Sequence, residues 1–570
     1  MNTYWEYLKQ NKIIAGIIGL TLVGIALYAN TLGNQMFWDD FDFILNNQYV
    51  HDWQYIPKYF SENIIAGASL VSNYWRPVLL LVFSIEYHLW GANPVGYHIV
   101  SMLFHIADAI LVFLLLNNLF KSYKLGLCTA LFFLIHPLQT ESVAYVNSLG
   151  DSLSVFFMLI GLNNYLHFRQ SGEQSGWWWS LACFPLALMS KETAIVYPAL
   201  IGLVEIFNTP VRNPEFNSGS HERDPESSSG LRQKLLNILK FTWPAWGTAG
   251  FYIFLRATVL NFQNTFNLYN EQNVFTESIF VRLFTFFKIL ATYIGLLFYP
   301  HDLHMERSID VAQSFLAPGV WLGALILILI LFLIIYFWKR NSAVSFGFLW
   351  FLIGLAPTSN IVVPINGLLY EHWLYLPMIG FWLAVVVILS GSEGSHVRFF
   401  GQWPQNDKIL KVIVTIFFIS YFMFLSYTTI ARNREWRDPI TFYNQTLKYS
   451  PNSYRVANNL GMAYADSGQT ENAKQMYKRA IMLDPEVQVA YHNLANAYQN
   501  LGQTDLAVEN YLKAIELDPE FFYSYNALTK LYLDQKDYTR SREIQERFLP
   551  YSPNPEETKL LIEQIKKLEK

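Results

Sequence analysis

Twelve apolar runs follow one another through the first 430 residues, at about 11–30, 97–118, 123–136, 151–168, 176–190, 192–208, 236–258, 280–299, 317–338, 343–356, 373–390 and 410–430. A bilayer-spanning helix needs about 20 mostly apolar residues, because lipid offers no partner to a free backbone amide or carbonyl. A chain with this many such runs is constrained to an all-α polytopic membrane domain of about 11–12 spans. Charge confirms where that domain stops. Of the last 140 residues 37 are charged, against 47 of the first 430, so the C-terminal quarter has the charge of an ordinary soluble domain and the rest does not. The overall charge of −4, with no dense basic tract, excludes a dedicated nucleic-acid binder. Two cysteines, Cys128 and Cys183, both in apolar stretches, exclude a disulfide framework and a cysteine-type zinc site.

The first run follows Lys9 and Lys12 and is long, and a leucine stands where signal cleavage would want a small residue, so it reads as a retained signal anchor. Lys and Arg mark the cytoplasmic side. Lys121/Lys124, Arg169, Arg232/Lys234, Lys339/Arg340, Arg398 and Lys408/Lys411 then place the N-terminus inside, and 209–233 reads as a flexible cytoplasmic linker. Twelve crossings would return the C-terminus to the inside, whereas the loop charges place it outside. One run is therefore expected not to cross, and 280–299, interrupted by Arg282 and Lys288, is the candidate.

A repeat fills the soluble quarter. Pro451, Pro485, Pro519 and Pro553 stand 34 apart, as do Tyr464, Tyr498 and Tyr532, Gly468 and Gly502, and Ala480 and Ala514. This period and pattern resemble the tetratricopeptide repeat, a helix pair that buries its apolar face only against its neighbours. The expected organisation is a membrane domain over 1–430, a junction with a partial repeat over 431–453, and three repeats plus a capping helix over 454–570. Such a stack holds proteins or peptides and carries no chemistry of its own.

Ionisable groups at or beside membrane depth are functional candidates. Asp39-Asp40 follows the first run; adjacent carboxylates raise each other's pKa and suit a general base, while a turn or helix cap is the plainer alternative. Arg76-Pro77 puts a cation beside an apolar run, unless it merely snorkels. His136-Pro-Leu-Gln-Thr-Glu141 interrupts another run, and proline explains the break but not Glu141. Lys191-Glu192 is a second acid–base pair, or an internal ion pair. Glu371-His372 opens a further span, and Arg256 lies at the outer end of its own. Together they bring carboxylates and cations from separate loops to one outer face. Sugar transfer from a lipid-linked phosphate uses that combination, a carboxylate for the acceptor proton and cations for the departing phosphate.

At these residues the chain resembles the GT-C glycosyltransferases, and more narrowly the transmembrane and tetratricopeptide-repeat-containing O-mannosyltransferases and their bacterial relatives. The resemblance implies a polyprenyl-phosphate sugar donor (the sugar most simply mannose), a protein or peptide acceptor held by the repeats, and inverting transfer on the extracytoplasmic side of a membrane such as the bacterial inner membrane. It implies Asp39 as catalytic base with Asp40 beside it. It implies Arg76, Lys191 and Arg256 at the donor phosphate, and His136, Glu141, Glu192, Glu371 and His372 shaping the site. No cofactor is called for and no metal ligand is assigned, although some GT-C enzymes use a divalent ion. Relatives commonly place arginine after the glutamate where His372 stands here, and a histidine, mostly neutral at pH 7, is a poor phosphate ligand. The alternatives are a GT-C enzyme acting on an envelope glycan or lipid, a non-catalytic scaffold presenting repeats, and a transporter, though no paired broken helices favour the last.

Overall fold

The computed structural model describes residues 2–208, 228–263, 273–307, 309–365, 367–390 and 408–570; Arg398 and most of the expected 209–233 linker lie outside them. Every regular element among the described residues is helical. They divide into two compact units, Met1–Met305 with Ile309–Arg437, and Glu306–Ser308 with Asp438–Lys570.

In the first unit each of the twelve apolar runs is a helix. Five are long and apolar enough by themselves to cross a bilayer: Asn11–Gly33, Pro94–Phe120, Val146–Ser171, Ile279–Phe298 and Val320–Phe337. The suspected non-crossing run is thus one of the five. Its two cations are turned to loop groups, Arg282 donating to the carbonyls of Thr276 and Ile361 and Lys288 to that of Asp310. Others are short. Ser342–Leu355 and Pro377–Ser390 have 14 residues each, about 21 Å at 1.5 Å per residue, against a hydrocarbon core of about 30 Å. These two pack backbone to backbone: a Cβ on Gly347 would strike the Gly380 carbonyl, and one on Gly380 the Gly347 carbonyl.

A broken pair, Tyr123–Ile135 and Pro137–Ala144, bent by 57°, is together as long and apolar as those five, and its shape is that of a broken span or a re-entrant loop. Proline pushes the residue before it out of the helical region, and His136 accordingly sits at φ −74°, ψ 128°. Its ring mends the break. Nδ1 accepts from the Leu138 amide at 3.3 Å and Nε2 meets the Leu297 carbonyl at 3.0 Å, which fixes a neutral imidazole protonated on Nε2.

The two ends of the first unit are tied together beside the Asp39 loop. Asn433 donates to the Leu27 carbonyl and the Asn30 side chain, both at 2.9 Å, and Asn30 donates to the Ile430 carbonyl at 3.0 Å.

The second unit stacks three helix pairs, Tyr454–Asp466 with Thr470–Leu483, Gln488–Asn500 with Thr504–Leu517, and Phe522–Asp534 with Tyr538–Phe548, and ends with Pro555–Glu569. Gly468 and Gly502 turn the first two pairs at φ 77° and 71°. The third turn has the same left-handed backbone, φ 60°, at Lys536.

Candidate active site

The helix that begins the chain runs to Tyr28, and a turn at 29–33 delivers it into the loop carrying Trp38-Asp39-Asp40. The two aspartates take different surroundings. Asp40 is 1 % exposed and accepts two backbone N–H bonds, from Phe37 at 3.2 Å and from Asn147 at 2.9 Å. Burial pushes its carboxyl up to about 8, against the pull of those amides; the charge of Asp39 adds a smaller push. Asp39 is only half-buried and also titrates above the usual range, through burial first, with Tyr145 opposing and Asp42 adding. Near neutral pH Asp40 therefore holds its proton. Mutual repulsion, the basis for picking the pair out of the sequence, is the lesser cause.

Arg76 precedes a helix whose first residue is Pro77, and its guanidinium grips Glu192 in parallel, Nε to Oε2 at 3.0 Å and Nη2 to Oε1 at 2.6 Å. Lys191, the preceding residue, pairs with Asp151 at 2.6 Å, and both partners are buried. Arg256 donates to the carbonyls of Leu260, at 2.8 Å, and Asn73, and lies close enough to Glu192 and Arg76 to feel their charge. Tyr74 links this cluster to the aspartates: the Arg76 guanidinium lies 4.5 Å from its ring centre, and its hydroxyl senses Arg76, Glu192 and Asp39. Asp39, Arg76, Lys191, Glu192 and Arg256 are thus brought into one neighbourhood. Its three cations face two carboxylates, Glu192 and Asp151, leaving one positive charge beside Asp39.

A second group lies next to it. His372 places Nδ1 at 2.7 Å from Glu141 Oε1 and its backbone N–H at 3.1 Å from Oε2, so the residue that departs from the relatives' arginine is the partner of Glu141. Glu371 accepts from the His304 amide at 2.7 Å and from Arg432 at 3.4 Å, and Arg432 also meets Glu435 at 2.5 Å. Arg432 lies 5.9 Å from the Trp436 ring, which stacks on Tyr145, the neighbour of Asp39. His136 is apart from both groups, occupied by the helix break. Among the described residues no three His, Cys, Asp or Glu side chains come together as a metal site.

Four participants went unnoticed in the sequence: Asp151, Tyr145, Asn147 and Arg432. Asp151 carried a usable signal, since it is a carboxylate inside an apolar run, where charge is costly. Arg432 falls in the stretch that the sequence marks only as a junction. Tyr145 and Asn147 carried none, because neither residue type is unusual at a membrane edge.

Residues 76–216, which include Arg76, Glu141, Asp151, Lys191 and Glu192, match the family described as dolichyl-phosphate-mannose-protein mannosyltransferase. Tetratricopeptide-repeat families match 454–487, 489–521 and 510–543. A protein O-mannosyl-transferase of Caenorhabditis elegans is 25% identical over 491 residues, covering 84% of this chain and 64% of the relative. One of Drosophila melanogaster is 23% identical, covering 82% and 61%. A human one is 25% identical, covering 80% and 64%. The chain thus spans a little under two thirds of the length of these relatives. Among solved structures the MamA protein matches at 24% identity and a TM-score of 0.20, over 23% of this chain and 76% of that one. With several apolar helices, a mannosyltransferase-type segment and tetratricopeptide repeats in sequence, the chain is similar to the protein O-mannosyl-transferases over about four fifths of its length.

Proposed function

We propose that the chain is a membrane mannosyltransferase that moves mannose from a polyprenyl-phosphate donor to a hydroxyl of a protein acceptor, with inversion, on the extracytoplasmic face. One observation carries this reading: a half-buried carboxylate, Asp39, next to a cation cluster with one positive charge in excess. A polyprenyl-phosphate sugar is a phosphodiester monoanion, and its lipid tail requires a site at the bilayer edge. In the step, the acceptor oxygen attacks the anomeric carbon and its proton passes to Asp39. The bond from that carbon to the phosphate oxygen breaks, and the electron pair leaves on the polyprenyl phosphate. Arg76, Lys191 and Arg256 offset the added charge on the departing phosphate. Arg76 has guanidinium donors beyond the two given to Glu192, and Lys191 has ammonium protons beyond the one given to Asp151. Asp40 holds the loop of the base, and the Glu141–His372 and Glu371–Arg432 pairs stiffen the site's other wall. The repeats present the acceptor.

The test is transfer by the purified protein from radiolabelled polyprenyl-phosphate mannose to peptides carrying serine or threonine. No transfer to any hydroxyl peptide, with transfer to a glycan or lipid instead, would reassign the acceptor. Sidedness is separable. A single cysteine at Ser467, in a background lacking Cys128 and Cys183, should react with an impermeant thiol reagent in intact cells, and one at Ser218 only after lysis.

A further inference from the structure

The short stretch that leads into Arg76 is held at each residue. The Ser72 amide donates to the Asn63 side chain at 3.2 Å, and the Asn73 carbonyl accepts from Arg256. The Tyr74 carbonyl accepts from the Ile64 amide at 3.0 Å, and the Trp75 indole donates to the Phe60 carbonyl at 3.2 Å. Trp75 and Arg76 are buried, whereas Tyr74 between them and the loop is 44% exposed. An exposed tyrosine by itself means little. This one has a fixed backbone and a ring braced on the Arg76 guanidinium, 4.5 Å from the ring centre. Among the described residues its hydroxyl has no hydrogen-bond partner, yet it is near enough to Asp39, Arg76 and Glu192 to feel the charge of all three. The fold thus immobilises everything about Tyr74 except its polar tip, which stays open to solvent between a carboxylate and a cation cluster.

In a single displacement the attacking oxygen and the departing phosphate oxygen stand on opposite sides of the anomeric carbon. The base marks one end of that line and the cations mark the other, so the sugar ring lies between them. A side chain that adjoins both ends adjoins the sugar. We propose that Tyr74 selects the transferred hexose, its hydroxyl hydrogen-bonding one of the sugar hydroxyls by which hexoses differ. This rests on the transferase reading above and adds to it the residue that reads the sugar. A phenol hydroxyl donates one hydrogen bond and accepts another, as a sugar hydroxyl does. A site that hydrogen-bonds a substrate hydroxyl discriminates against analogues lacking it more sharply than an apolar pocket discriminates by size. Because the backbone and ring of Tyr74 are already held, little freedom is lost when the contact forms.

The experiment measures ligand binding to the whole chain in detergent. The ligands are a short-chain polyprenyl-phosphate mannose, its analogues that each lack one sugar hydroxyl, and the same polyprenyl phosphate without sugar. Tyr74→Phe deletes the hydroxyl and keeps the ring beside Arg76. It should weaken the mannose ligand about tenfold, the scale of one good hydrogen bond, and leave the sugar-free ligand within about twofold. Thermal stability should be unchanged, since the hydroxyl has no partner in the fold to lose. One deoxy analogue should bind wild-type protein about tenfold more weakly than the parent ligand, yet bind Tyr74→Phe as well as the parent does, which identifies the hydroxyl that Tyr74 reads. Equal losses for the sugar-bearing and sugar-free ligands would put the Tyr74 hydroxyl on the phosphate. No loss for either, or no analogue whose deficit vanishes in Tyr74→Phe, would put it outside the sugar site. Each of these overturns the proposal and leaves the transferase reading intact if wild-type protein still transfers mannose. Wild-type protein that transfers no sugar from any polyprenyl-phosphate hexose would overturn both.

Discussion

Arg76 and Glu192 face each other across 116 residues of chain through two parallel bonds of 3.0 and 2.6 Å. Only a planar, forked cation makes that contact. Burial alone would raise the Glu192 carboxyl, but the Arg76 charge and hydrogen bonds outweigh it and hold it down at about 2. A depressed carboxylate stabilises the fold above its unfolded value of about 4.3 and loses that contribution as pH falls toward 2. The clasp therefore stays ionised from neutral pH down to the low value to which Glu192 is held.

If the clasp orients Arg76 toward a donor phosphate, Arg76→Lys keeps the charge and loses the orientation. The expected result is a rise in apparent donor KM of about tenfold, with a larger loss for Arg76→Ala. Donor titrations at fixed acceptor check this. An unchanged donor KM with a lowered melting temperature would assign the pair to folding alone.

The two aspartates should separate cleanly on mutation. Asp39→Asn should lower transfer by about 10²- to 10⁴-fold, the usual scale for a lost general base, with little change in stability. Asp40→Asn cannot accept both amides with one carbonyl oxygen. It should destabilise the protein by about 1–3 kcal/mol. Thermal unfolding and turnover measured on both variants decide it; equal stability loss in the two would erase the distinction.

Asp40 also predicts a pH trend of opposite sign to that of Glu192. Its folded pKa is raised to about 8. The folded state then holds a proton that the unfolded chain releases from about pH 4 upward, so the contribution is fully present below about 4 and declines as pH rises toward 8. Melting temperature should fall over that interval in wild-type protein and fall less in Asp40→Asn.

The third repeat contains its own test. Lys536 holds the left-handed turn that Gly468 and Gly502 hold in the other two. A non-glycine residue there costs about 1–2 kcal/mol, partly offset by the greater unfolded freedom of glycine. Lys536→Gly should raise stability by about 1 kcal/mol, and Gly502→Ala should lower it by a similar amount. Hydrogen exchange across 504–548 in the full-length protein would report both.

How much of this was legible beforehand depended on the range of the interaction. Apolar runs and the 34-residue period are local patterns, and each became the helix or helix pair it specified. The break at His136-Pro137 was legible because proline acts on its own neighbour, but the use of the His136 ring to mend the break was not, since one partner, Leu297, lies 161 residues away. Glu371-His372 looked like a defective phosphate ligand because the partner of the histidine, Glu141, is 231 residues distant. Lys191-Glu192 suggested a pair with each other, whereas each residue turned to a different partner, Asp151 and Arg76. Composition and spacing identify which charges are out of place in lipid. Which of them meet is decided by the packing of distant helices.

The bond from the Asn147 amide to Asp40 has a consequence in time. Chains are made and inserted from the N-terminus, so the Trp38-Asp39-Asp40 loop leaves the ribosome 107 residues ahead of the amide that closes it. Until that later segment has followed it into place, the loop lacks one of the two bonds that position Asp40, and with it the stacked Tyr145 beneath Trp38. A nascent chain arrested before residue 147 would display both aspartates with Asp40 held by the Phe37 amide alone: the carboxylate pair is fully seated only once the helices between the loop and Asn147, and about a quarter of the chain, have been delivered.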